Sequence, residues 1–280
     1  MNDFNLHTHS CFCDGKEAPE KYVKQAIDIG FHTLGFSGHA PLPFENTFSI
    51  KNNDILNYCN TILKLKKKYK EKINIFLSLE MDYIPGISWD FSVLKNNYNL
   101  DYSIGSVHLV KNDNNEKLWF IDGPKAEIYD NGLDEIFNGN IKEGVSHYYN
   151  QINNMILFQK PDILGHFDKI KMHNKNRYFS EQESWYKKLV KQSLKLVSEK
   201  NVIVEVNTRG IYKERCNSLF PGEDILQQMY MLDIPITLSS DAHHPLELNK
   251  YFEEAKYILK NTGFKNLMYF SDQGWKKQKI

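Results

Sequence analysis

Among the residues of types that ligate metal ions, nine stand out because their spacing gives them a common direction. His7 and His9 are separated by one residue, and so are Asp241 and His243. In an extended strand, residues i and i+2 project to the same side, so each pair can grip one ion. His39, Glu80, His108 and His166 stand singly, each at the end of a short, largely apolar run. Asp14 lies a few residues past His9, in a Cys-Asp-Gly turn able to bend back over the same face. One zinc ion takes about four ligands. Nine ligands, joined by a bridging carboxylate, a bridging water and a substrate oxygen, suit two or three divalent ions. A nitrogen and oxygen donor set admits Zn, Fe or Mn alike. Two adjacent ions lower the pKa of a shared water, supply hydroxide near neutral pH and offset charge on a phosphoryl group attacked in line. The expected reaction is direct hydrolysis of a phosphomonoester, with no protein nucleophile and a general acid that the sequence does not name.

Such ligands converge only if the chain folds to bring strand ends together. Short apolar runs alternate with amphipathic segments throughout. Strands are expected at Phe4–His7, Thr33–Ser37, Ile73–Glu80, Tyr102–His108, Ile163–His166, Val202–Val206 and Pro235–Ser239, with a last one at Lys265–Phe270. Helices are expected at Pro19–Ile29, Asp54–Lys70, Glu143–Phe158, Glu181–Glu199, Glu223–Leu232 and Leu246–Lys260, with a long polar stretch at Lys111–Asn140. This βα alternation predicts parallel strands wrapped by helices. Seven or eight strands in a chain of this size favour a barrel, whose active site is built where the strands end. Six His and two carboxylates fall at those ends. The remaining histidines read as structural: His32 starts a strand at the opposite face, His147 sits inside a helix, His244 points away from its neighbour, and His173 lies in a loop.

The 280 residues carry 35 basic and 35 acidic side chains, and this balance argues against a nucleic-acid binder with a broad basic face. Only three of the cations are Arg: Arg177, Arg209 and Arg215. No window approaches the roughly 20 apolar residues of a membrane helix, and the N-terminus has no signal-peptide pattern. Cys11 and Cys13 are too close for an ordinary disulfide, and with Cys59 and Cys216 they read as free thiols. A cytoplasmic, soluble chain forming one domain over 1–280 is expected. The sequence leaves the oligomeric state open.

The segments His7-Thr8-His9, Gly38-His39-Ala40-Pro41, Leu79-Glu80-Met81-Asp82-Tyr83, Gly105-Ser106-Val107-His108, Gly165-His166-Phe167-Asp168, Glu205-Val206-Asn207-Thr208 and Ser240-Asp241-Ala242-His243 together resemble the polymerase and histidinol phosphatase (PHP) family. They run in family order over nearly the whole chain. The resemblance implies a distorted (β/α)7 TIM-like barrel with a trinuclear site. His7, His9, Glu80 and Asp241 would bind one ion, Glu80, His108 and His166 a second, and Asp14, His39 and His243 a third. Several family members carry His where this chain has Asp14, a harder ligand, which bears on the third ion. Gly38-His39-Ala40-Pro41 with Phe44, Asp82-Tyr83 and Gly165-His166-Phe167-Asp168 are most similar to the stand-alone histidinol-phosphate phosphatases. That branch implies hydrolysis of L-histidinol phosphate to L-histidinol and phosphate, a step of histidine biosynthesis. The alternative within the family is another monoester, phosphotyrosine or a nucleotide.

A cation beyond the metals would orient the phosphate dianion. Arg209, directly after the sixth strand, and Arg177, in the loop after the fifth, are the candidates. An imidazole and an amine need an aromatic wall and an acidic group. Trp119, with Phe120 and Asp122 in the stretch after the fourth strand, is the expected wall.

Overall fold

The computed structural model describes residues 3–115 and 117–280. Its elements run β1 (Phe4–Asn5), α1 (Pro19–Asp28), β2 (Thr33–His39), α2 (Ile55–Tyr69), β3 (Asn74–Asp82), α3 (Phe91–Tyr98) and β4 (Tyr102–Ser106). A hairpin of β5 (Leu109–Lys111) and β6 (Leu118–Phe120) follows, then α4 (Ala126–Phe137) and α5 (Ile141–Asn154), which continues as a π-helical turn, Met155–Gln159. The chain then forms β7 (Ile163–Leu164), α6 (Ser184–Lys200), β8 (Ile203–Asn207), α7 (Arg209–Tyr212), α8 (Glu223–Met231), β9 (Ile236–Ser239), α9 (Phe252–Thr262) and a hairpin of β10 (Asn266–Ser271) and β11 (Gly274–Lys279).

Seven strands pair in the order β1-β2-β3-β4-β7-β8-β9, all in parallel. The sheet curls until its edges meet at Thr8 and Ala242, which form a parallel bridge. There the His9 amide donates to the Ala242 carbonyl at 2.8 Å and the Ala242 amide to the His7 carbonyl at 3.2 Å. The residues that close the barrel are therefore interleaved with two pairs of candidate ligands. Inside, the Tyr102 hydroxyl donates to the Leu6 carbonyl across the barrel. Gly35 makes room for it, since a Cβ there would lie 1.9 Å from the Tyr102 oxygen.

The helices bury their apolar stripes on the outside of the sheet. In α1, Pro19 starts the helix, where its missing N–H costs nothing, and Tyr22, Val23 and Ala26 face inward. The segment 111–140, read as a polar stretch, is instead half of the β5–β6 hairpin plus α4, and α3 was not foreseen. The expected helix 246–260 breaks at Tyr251, whose φ is +65°. The last expected strand does not join the barrel. β10 pairs with β11 in antiparallel fashion, and Phe270 and Trp275 pack against Phe76 and Tyr102 beneath the strand N-termini. That hairpin plugs the mouth opposite the candidate ligands. No described helix is long and apolar enough to cross a membrane.

Candidate metal centre

All nine candidate ligands lie at the C-terminal mouth. Each follows or ends a barrel strand except Asp14, which the loop after β1 folds back, its Oδ2 3.0 Å from His243 Nε2. Glu80, two residues before the end of β3, stands at the centre. Its Oε2 is 3.1 Å from His7 Nε2, 3.4 Å from His9 Nε2 and 3.2 Å from His39 Nδ1. Its Oε1 is 3.0 Å from His166 Nε2 and 3.4 Å from His108 Nε2. Asp241 Oδ1 is 3.3 Å from His9 Nε2 and 3.9 Å from His7 Nε2. Three overlapping groups have ligand atoms within 4.8 Å of one another: His9, Asp14, His39 and His243; His7, His9 and Asp241; and His39, Glu80 and His108.

The ring orientations are fixed from behind. Glu205 accepts from His7 Nδ1 at 2.5 Å, from the His166 amide at 2.8 Å and from Asn207 Nδ2 at 3.1 Å, and also from the Ser239 hydroxyl. Asp82 accepts from His108 twice, through the backbone amide at 3.0 Å and Nδ1 at 2.8 Å. A ring whose Nδ1–H is committed in this way turns Nε2 toward the mouth. Glu205 and Asp82 both lie in the segments that carry the family resemblance, but the sequence assigned them no role behind the rings.

Burial favours neutral rings, and His9 obeys, lowered to about 3 by burial and by His243 and His39. His166 and His243 are also lowered, chiefly by burial. Burial likewise opposes charge on His7, but Glu205, Glu80 and Asp241 outweigh it and raise the ring. In the same way Asp82, Asp122 and Glu80 overcome burial and lift His108 to about 10. Against their own desolvation, Glu80 is held well below the carboxylate range chiefly by His7, His39 and His108, and Asp241 by His7 and Arg209. The cluster therefore attracts positive charge. Protons on His7 and His108 can supply part of it, and metal ions can replace them.

The fit to metal rests on atoms left without partners. His7 Nε2, His9 Nε2, His39 Nδ1 and Asp14 Oδ1 are buried and make no hydrogen bond. Three of these nitrogens face one carboxylate oxygen. Buried polar groups are normally paired, and cations lying among these donors would satisfy all of them. Asp241 also sits in the left-handed region at φ +51°, which is uncommon for non-glycine residues and which aspartate tolerates better than most.

The sequence model of the PHP domain matches residues 5–209. The chain belongs to the PHP domain family. Among relatives, the histidinol-phosphatase of Bacillus subtilis is 26% identical over 266 residues, 90% of this chain and 96% of its own length. The crystal structure of the Lactococcus lactis histidinol phosphate phosphatase, complexed with zinc, L-histidinol and phosphate, has a TM-score of 0.68 at 23% identity, covering 99% of both chains. A crystal structure from Listeria monocytogenes reaches a TM-score of 0.77 at 22% identity over 90% of this chain and 99% of that one.

In this PHP domain a cavity of about 240 Å³ opens onto the ligands, lined also by Phe48, Phe120, Asp122, Lys169, Arg209 and Arg215. The three substrate candidates read from sequence separate here. Arg209 does line the cavity, but its Nη1 donates to the Asp241 carbonyl at 2.7 Å and so also braces the strained ligand. Arg177 does not line it. Asp130 on α4 draws its guanidinium outward with two bonds of 2.7 and 2.8 Å. Trp119 is not a wall either. It is fully buried behind β6, its Nε1 donating to the Tyr129 carbonyl at 2.8 Å. Strand alternation explains the difference: in β6, Trp119 points into the core, and Phe120 beside it points to the cavity. Lys169 was missed. It lies three residues past His166 and is 3% exposed, with Nζ 3.5 Å from Asp122 and 3.9 Å from Asp241. A buried Lys beside two carboxylates at a barrel mouth has no signature in sequence alone.

Proposed function

We propose that this chain is a metal-dependent phosphomonoesterase that hydrolyses L-histidinol phosphate to L-histidinol and phosphate in the cytoplasm. The carrying observation is the set of unpartnered ring nitrogens around Glu80, opening into a small cavity that also presents Lys169, Arg209 and Arg215. The names of the full-length relatives, histidinol-phosphatases in both the Bacillus and Lactococcus cases, support the substrate. Its cavity suits a small monoester better than a nucleic acid. The four cysteines are free thiols, as in a reducing compartment.

His7, His9, Glu80 and Asp241 would hold one divalent ion, Glu80, His108 and His166 a second, and Asp14, His39 and His243 a third. When bound, such ions supply an activated water and charge compensation at phosphorus. The protein's own part is positioning. Glu205 and Asp82 fix the rings. Arg209 holds the Asp241 carbonyl. Lys169 and Arg215 bring cationic groups to the cavity, where a phosphate dianion is favoured over neutral ligands. The test is a panel of L-histidinol phosphate, phosphotyrosine, a nucleoside monophosphate and p-nitrophenyl phosphate. A kcat/KM for histidinol phosphate at least tenfold above the others is expected. Preference for another member of the panel would overturn the substrate assignment.

A further inference from the structure

Four carboxylates line the cavity: Asp14, Glu80, Asp122 and Asp241. Three of them belong to the candidate ligand set, and Asp122 does not. Its Oδ2 faces Lys169 at 3.5 Å and His108 at 3.9 Å. Its Oδ1 is buried and makes no hydrogen bond. A free carboxylate oxygen repels phosphate, so this part of the cavity must receive the opposite end of a substrate, and that end must bring a donor, preferably a cationic one.

Beside Asp122 stands an aromatic pair. Phe48 and Phe120 stack with ring centroids 5.8 Å apart and planes 28° apart. Phe48 also meets His39 edge-on, at 5.3 Å and 80°. A small apolar cluster of Leu42, Ile84 and Leu109, separate from the main core, packs against both rings from behind. The pair is only half-buried, so part of its surface faces the cavity. It offers a rigid flat wall to a planar heterocycle.

We infer that Asp122 and the Phe48–Phe120 pair form the subsite for the alcohol half of the substrate, with the carboxylate taking its ammonium group and the rings its heterocycle. This rests on the reading of the chain as a histidinol-phosphate phosphatase. It makes Asp122 and the pair determinants of specificity, while the phosphate is left to the metals and to Lys169, Arg209 and Arg215.

The experiment uses the metal-loaded enzyme and four esters: L-histidinol phosphate, its deamino analogue, 2-aminopropyl phosphate, which lacks the ring, and propyl phosphate. The wild type is expected to lose at least tenfold in kcat/KM when the amine is removed. In Asp122→Asn that penalty should shrink below threefold. In Phe120→Leu the amine penalty should persist while the penalty for losing the ring shrinks. A wild-type amine penalty under threefold, or one equal in Asp122→Asn, would overturn the assignment of Asp122. An unchanged ring penalty in Phe120→Leu and Phe48→Leu would overturn that of the pair. Failure of the broader reading looks different. The wild type would then not prefer histidinol phosphate over other monoesters, while 2-aminopropyl against propyl phosphate still reports on Asp122.

Discussion

Replacing Glu205 by Gln tests whether the ligand set is preorganised by the residues behind it. Glu205 is fully buried and receives four donors: His7 Nδ1, the Ser239 hydroxyl, the His166 amide and Asn207 Nδ2. Despite burial, His7 and His166 help hold its pKa down to about 2, so all four bonds are to a charged acceptor. Gln presents one acceptor oxygen and one amide that is itself a donor. At least two of the four donors then lose their partner in the core. Each hydrogen bond to a charged group contributes about 1.5–3 kcal/mol, so the loss is about 3–6 kcal/mol. With a urea slope near 3 kcal/mol/M, the unfolding midpoint of the metal-free protein should fall by roughly 1–2 M. Because His7 and His166 both lean on Glu205, metal affinity measured against a competing chelator should also fall by about 10–100-fold. A stability change below about 1 kcal/mol together with unchanged metal affinity would refute the reasoning.

Other outcomes follow from the same geometry. Trp119→Ala should destabilise the fold by about 3–5 kcal/mol, because α4 and α5 approach this indole through Gly132 and Gly144, where a Cβ would lie 2.4 and 2.7 Å from it. The KM for histidinol phosphate should not move, and a raised KM in the folded variant would return Trp119 to the cavity wall. Lys169→Met should lower kcat/KM at least tenfold for every monoester tested, since it removes a cation from the phosphate end; a loss confined to histidinol phosphate would contradict that placement. Five fully buried tyrosines, Tyr58, Tyr102, Tyr148, Tyr149 and Tyr186, have pKa values raised by burial. A phenol that ionises more readily unfolded stabilises the fold below pH ~10 and loses that contribution as pH rises, at about 1.4 kcal/mol per unit and group. Because the unfolded phenols are only half-ionised at pH 10, five groups give about 5 kcal/mol between pH 10 and 11, so phenolate absorbance should appear cooperatively with unfolding; a gradual rise in a still-folded protein would contradict this.

The convergence of the candidate ligands was legible because strand-end placement and i, i+2 spacing survive in one dimension. His7, His9, Asp241 and His243 carry their direction in their own spacing. Parallel pairing was legible from βα alternation for the same reason. Three features were not. Phe120 and Trp119 are adjacent aromatics, and which one faces the cavity depends on the register of a short hairpin hidden in a polar stretch. Arg177 sits in a loop on the active side of the chain, but a carboxylate from another helix turns it away. Lys169, Asp82 and Glu205 act through partners distant in sequence: the motifs around Asp82 and Glu205 marked those two without giving their role, and no local pattern distinguishes Lys169 from a surface charge.

The central claim is that these clustered ligands hold metal and that the metal makes the site hydrolytic. The most direct measurement removes the metal by chelation, counts what remains, and follows phosphate release from L-histidinol phosphate before and after divalent ions are restored. Activity should disappear as the metal content falls to zero and return with two or three equivalents of Zn, Mn or Fe. Hydrolysis that continues at full rate in demonstrably metal-free protein would contradict the account.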